Sequence, residues 1–124
     1  MDQALRELTE RIIGCAYEVS NGLGAGFLES VYEAALALEL EHGGLKLERQ
    51  KEFVVQYKSK TVGRYYADLV INDQVVVELK ALSGLTGEHE AQLLNYLKAS
   101  GLKLGLLLNF GRPKVEVKRL VWNF

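Results

Sequence analysis

The sequence predicts a mixed β-sheet with helices packed on it, an α/β or α+β domain in the order α-α-β-β-β-α-β-β. Three observations carry this. Apolar residues recur at spacings of three and four through the first third of the chain. From residue 53 the period shortens to that of strands, in runs rich in valine and aromatics. One helical stretch then separates two apolar strand-like segments, the pattern of a βαβ crossover.

Leu5, Leu8, Ile12, Cys15 and Val19 place one helix at 3–20, with Asn21-Gly22 to end it. A glycine loop, NGLGAG, leads to a second helix at 28–42, with Val31, Ala35 and Leu38 as its apolar face and Gly43-Gly44 as its stop. The loop lacks G-x-G-x-x-G spacing and follows no strand, so it is a turn between helices, Gly26 permitting close packing. Strands are expected at 53–57, 64–71 and 74–80, with turns at 59–63 and from Asn72-Asp73. The polar loop LSGLTGE opens a third helix at 88–100, with His89 on its surface near the start. KLGLLLNF reads as a buried strand, Pro113 sits in a turn, and Val115, Val117 and Leu120 mark a last strand. Trp122 and Phe124 are core or interface aromatics. No linker, low-complexity run or repeat divides the 124 residues, so one domain spanning 1–124 is expected.

Composition narrows the class. No apolar run is long enough to span a bilayer. The N-terminal MDQALRELTERIIG is charged and amphipathic, without the apolar core of a signal peptide, and the single Cys15 reads as a buried, inert thiol. A cytoplasmic location is the expectation. One cysteine and two distant histidines make zinc a poor fit. The net charge of −1 is unevenly spread: residues 1–48 carry nine acidic and three basic side chains, residues 95–124 one acidic and six basic. A basic surface on one side is compatible with this, and so is an ordinary mixed surface.

The informative stretch is VVVELKA. Glu78 and Lys80, two apart on a strand, share a face. Ten residues earlier YYADLVI places Asp68 in another apolar run. A buried carboxylate needs a partner charge or a cation. With a two-residue loop at Asn72-Asp73, Asp68 would face Val77 and lie on the opposite side of the sheet from Glu78. With a three-residue loop, 72–74, Ile71 faces Val75 and Asp68 faces Glu78. The second register is the expectation. Carboxylates on one face suit Mg²⁺, which takes oxygen ligands and keeps several waters. A salt-bridged Asp-Lys-Glu cluster without metal is the other reading of the same residues.

Asp68 followed by Glu78-Leu79-Lys80 resembles the signature of the PD-(D/E)xK nuclease superfamily, with Ala67 where the name has proline. GFLESVY fits Gly26-x-x-Glu29-x-x-Tyr32, the motif of the GxxExxY family, and HEAQLLNYLKASGLKLGLLLNFG is similar to that family's downstream block. The resemblance spans nearly the whole chain. It implies a restriction-endonuclease-like core and a Mg²⁺- or Mn²⁺-dependent enzyme that hydrolyses nucleic acid phosphodiesters, DNA foremost. It implies that Glu29, Asp68 and Glu78 hold the metal with the backbone carbonyl of Leu79, that Lys80 is the catalytic lysine, and that Gln92 and Tyr96 match a QxxxY motif near substrate. Tyr32 reads as structural. Arg49, Lys51, Lys58, Lys60 and Arg64 are candidates for nucleic acid backbone contacts. A homodimer is compatible with the small size and apolar C-terminal strand. The alternative is a non-catalytic nucleic-acid-binding or assembly module on the same fold.

Overall fold

The computed structural model describes residues 2–123. Two helices, α1 (Gln3–Leu23) and α2 (Glu29–His42), precede the hairpin β1 (Leu47–Tyr57) and β2 (Lys60–Ile71), then β3 (Val75–Lys80), α3 (Gly87–Ser100), β4 (Leu104–Asn109) and β5 (Glu116–Val121). The five strands lie in sequence order in one sheet. Only the β3–β4 pair is parallel; the other neighbours are antiparallel. The expected order and the βαβ unit through α3 are therefore present.

Each helix forms because an apolar stripe meets the sheet. Asp2 caps α1 by accepting from the Leu5 amide at 2.7 Å, and Leu5, Leu8, Ile12, Ala16 and Val19 line its buried side. Cys15 lies on the flank of that stripe and is half-buried, not buried; burial still pushes its thiol up, with Glu39 adding to the effect. Asn21-Gly22 does not stop α1, which runs to Leu23 and ends at Gly24, φ +68°. On α2 the expected face is wrong: Val31 and Leu38 are exposed, and Tyr32, Leu36, Ala37 and Leu40 are buried. This helix is apolar on several sides, so periodicity alone did not choose the face.

The helices divide the core in two. Leu69, Ile71, Val75, Val77, Leu79, Leu104, Leu106 and Leu108 pack with α1 and α2 on one side of the sheet. Ala67, Val70, Val76 and Leu107 pack with Leu93, Tyr96 and Leu97 of α3 on the other, where Trp122 also sits half-buried. Phe124 lies outside the described residues. Gly105 lets α3 approach: a Cβ there would lie 2.9 Å from Leu93 Cδ1.

Strand bounds moved most in the hairpin. β1 begins six residues before the expected start, and β2 begins at Lys60 because the turn is the two-residue Lys58-Ser59, both at positive φ. His89 is part of the α3 start: its Nδ1 accepts from the Thr86 amide at 3.0 Å.

Candidate acidic active site

The β2–β3 register decides whether the two carboxylates can meet. Ile71 pairs with Val75, Val70 with Val76 and Leu69 with Val77, the three-residue-loop arrangement. The next step sets Asp68 beside Glu78. Here the side chains replace the ladder. The Asp68 amide donates to Glu78 Oε1 at 2.9 Å, and the Leu79 amide donates to Asp68 Oδ2 at 2.8 Å. Each acid thus satisfies a backbone donor of the other strand. The two acids are locked reciprocally, and Leu79 meets Asp68 through its amide.

Glu78 is buried, with 5% of its surface exposed. Its carboxyl is pushed up to about 9, chiefly by burial and next by the Asp68 charge, with Lys80 pulling the other way. Glu29 stands at the first turn of α2 and remains exposed. Desolvation raises its carboxyl, Lys80 opposes the rise, and Asp68 and Glu33 add to it. Lys80, half-buried at the end of β3, therefore acts on both Glu29 and Glu78. The fold brings Glu29, Asp68, Glu78 and Lys80 into one electrostatic neighbourhood. It does not draw the acids into a cage: among the described residues no three His, Cys, Asp or Glu side chains are grouped to hold a metal ion. The donors are hard carboxylate oxygens. They fit a hard divalent ion such as Mg²⁺ or Mn²⁺ held by one or two carboxylates, with water completing its shell.

The α3 residues approach from the other side. Tyr96 is buried and packs edge-to-face on Tyr65 at 5.2 Å, one turn after the exposed Gln92 on α3. Burial, then Glu78 and Asp68, push its phenol up to about 12. Its phenol thus lies within the field of the acidic pair.

Comparison with known proteins identifies the family. The family described as the PD-(D/E)XK nuclease superfamily matches residues 6–120. The chain belongs to the PD-(D/E)XK nuclease superfamily. A solved structure, the crystal structure of SSO0001, superposes with a TM-score of 0.63 at 20% identity. That match covers 77% of this chain and 50% of that one, so the present chain spans about half its length. Among curated proteins no match is found.

Within this superfamily fold the remaining expectations sort by structure. Tyr32 is fully buried, stacks on Phe110 at 4.8 Å, donates to the Gly24 carbonyl at 2.6 Å and accepts from the Phe27 amide. It is structural, as read. Gly26 is needed for its backbone and not for packing: φ is +114°, and nothing lies within 4 Å of a Cβ placed there. The five basic candidates divide. Arg49 pairs with Glu33, Lys51 with Glu48 and Arg64 with Glu52. Lys58 and Lys60 stand exposed at the hairpin tip, where no ion pair holds them among the described residues.

Sequence reasoning missed three residues. Glu33 is four residues after Glu29, on the same helical face, a spacing that could have flagged it. Gln50 contacts both Glu33 and Asp68, and nothing in its sequence neighbourhood announces this. Asn109 is fully buried at the end of β4. Its side chain accepts from the Leu82 and Gly111 amides and donates to the Leu82 carbonyl and Glu116, clamping the segment just after Lys80. A polar residue closing the apolar run GLLLN was the available clue.

Proposed function

We propose that this domain is a Mg²⁺- or Mn²⁺-dependent nuclease of the GxxExxY kind, hydrolysing nucleic acid phosphodiester bonds, with DNA the first substrate to test. The observation that carries the reading is the interlocked pair Asp68 and Glu78, with Lys80 on the same strand end. A buried glutamate interlocked with a half-buried aspartate, with one adjacent ammonium, is costly as mere structure and useful around a cation. Asp68 and Glu78 would hold the ion, with Glu29 supplying an outer carboxylate. A bound divalent ion would supply positive charge at the scissile phosphate and a water of lowered pKa. Lys80 would orient the attacking water and stabilise negative charge as it develops. Tyr96 and Gln92 donate hydrogen bonds to the phosphate from the α3 side. Lys58 and Lys60 extend the contact along the nucleic acid backbone.

The test is cleavage of single- and double-stranded DNA and RNA with Mg²⁺ or Mn²⁺, against Lys80→Ala. Metal-dependent cleavage lost in the variant supports the proposal. A wild type no more active than the variant on all four substrates, with no Mn²⁺ binding by calorimetry, assigns the domain to non-catalytic nucleic acid binding or assembly instead.

A further inference from the structure

Six non-glycine residues adopt positive φ among those described, and five have local reasons. Lys58-Ser59 and Asn72-Asp73 make turns, and Asn123 lies near the C-terminus. Gln50 is different: φ is +50° in the middle of β1. A left-handed residue inside a strand costs free energy and persists where its surroundings over-determine it.

The contacts say what the conformation achieves. Successive side chains of an extended strand point to opposite faces. Yet Arg49 and Gln50 both reach one carboxylate: Arg49 donates to Glu33 Oε2 at 3.0 and 3.2 Å, and Gln50 Nε2 donates to Glu33 Oε1 at 2.8 Å. The same Gln50 nitrogen donates to Asp68 Oδ1 at 3.1 Å. The Arg49–Leu69 and Lys51–Ala67 pairs flank this point on the β1–β2 ladder. The facing of both strands changes across it. Leu47 and Leu69 pack in the α1–α2 core, while Phe53 and Ala67 pack in the α3 core, although each pair is an even number of residues apart. Asp68 thus sits at the switch, with one oxygen held by the Leu79 amide and the other by Gln50.

We infer that Gln50 is a positioning residue for Asp68. Its amide fixes the orientation of that carboxylate and ties it, through Glu33, to the helix that carries Glu29. The inference rests on the reading of Asp68 as a metal-holding acid. Outer-shell hydrogen bonds to a metal-binding carboxylate set affinity, and their loss typically weakens it by about 10–100-fold.

Gln50→Gly separates the amide from the backbone, because glycine accepts the positive φ without a side chain. Mn²⁺ affinity is measured by calorimetry on the wild type, Gln50→Gly and Asp68→Asn, with the unfolding midpoint of each metal-free protein. The expected result is a loss of affinity of about tenfold in Gln50→Gly, with an unfolding midpoint no lower than wild type. Wild-type affinity in Gln50→Gly, alongside lost binding in Asp68→Asn, overturns the positioning role and leaves the metal reading intact. No Mn²⁺ binding by the wild type removes the metal reading, and this inference with it. Should Gln50→Gly fail to fold, Glu33→Ala decides: it leaves the β1 sequence unaltered, frees Gln50 from α2 and should also weaken Mn²⁺ binding severalfold, and unchanged affinity there overturns the inference.

Discussion

At the scale of single residues, Glu78 has the sharpest consequence. Its carboxyl stands at about 9 in the fold, against 4.5 ordinarily, because burial and Asp68 disfavour its charge. Between those values the folded protein holds a proton that the unfolded chain has released. Stability of the metal-free protein therefore falls as pH rises through that window, and the penalty is absent below it. Glu78→Gln keeps the shape and removes the titration. In chelator, its unfolding midpoint should gain on wild type from about pH 5 to about pH 9; a constant difference between the two proteins across that range would contradict the burial. Lys80 makes the complementary prediction. Lys80→Ala should lower metal-dependent cleavage by about 10²–10⁴-fold, the range for a positioned proton-transfer or charge-stabilising group. Mn²⁺ affinity should be no weaker, since a cation has been removed from beside the acids.

At the scale of elements, the end of β3 is held by β4. Asn109 bonds Leu82 and Gly111 together, and the Phe110 amide donates to the Lys80 carbonyl at 2.8 Å. Gly111 is required by this closeness, since a Cβ there would fall 2.1 Å from the Leu82 carbonyl oxygen. Asn109→Ala strands the Leu82 and Gly111 backbone groups, at about 1–3 kcal/mol for each that water cannot reach. A clear drop in the unfolding midpoint is expected, together with reduced cleavage, because the loop it clamps follows Lys80. An unchanged midpoint would mean the clamp is not holding the loop. Element existence was legible in the sequence here, because long periodic runs declare themselves. The α2 face was not. With apolar residues on several sides, the stripe Tyr32, Leu36 and Leu40 was chosen by what it packs on, Phe110 and the sheet.

At the scale of the whole molecule, the sheet is lopsided. β1 and β2 run eleven and twelve residues, and β3, β4 and β5 run six each, so the hairpin projects past its neighbours. Its tip presents Tyr57, 64% exposed, beside Lys58 and Lys60. If this arm contacts a nucleic acid backbone, replacing both lysines by alanine should lower affinity at low salt and reduce the slope of log affinity against log salt by about two. Filter binding or fluorescence anisotropy across a salt series reads this directly. Arg64→Ala and Lys51→Ala should change the slope less, because Glu52 and Glu48 already compensate those charges. Among the described residues no helix is long and apolar enough to cross a membrane.

The sequence alone determined the order of elements, the interruption of two apolar strands by Asp68 and by Glu78-x-Lys80, and the two registers between which the acids either part or meet. These are local matters: periodicity and the strand's two-residue repeat are set by neighbours along the chain, while the choice of register waited on the β2–β3 pairing. Only the tertiary structure decided that each acid would accept the other strand's amide, that Glu29 would join by electrostatics without completing a cage, and that Gln50 would leave the extended region to hold Asp68. Those depend on where α2 lies over the sheet. Side chains that are distant in sequence set that packing, and no local pattern encodes it.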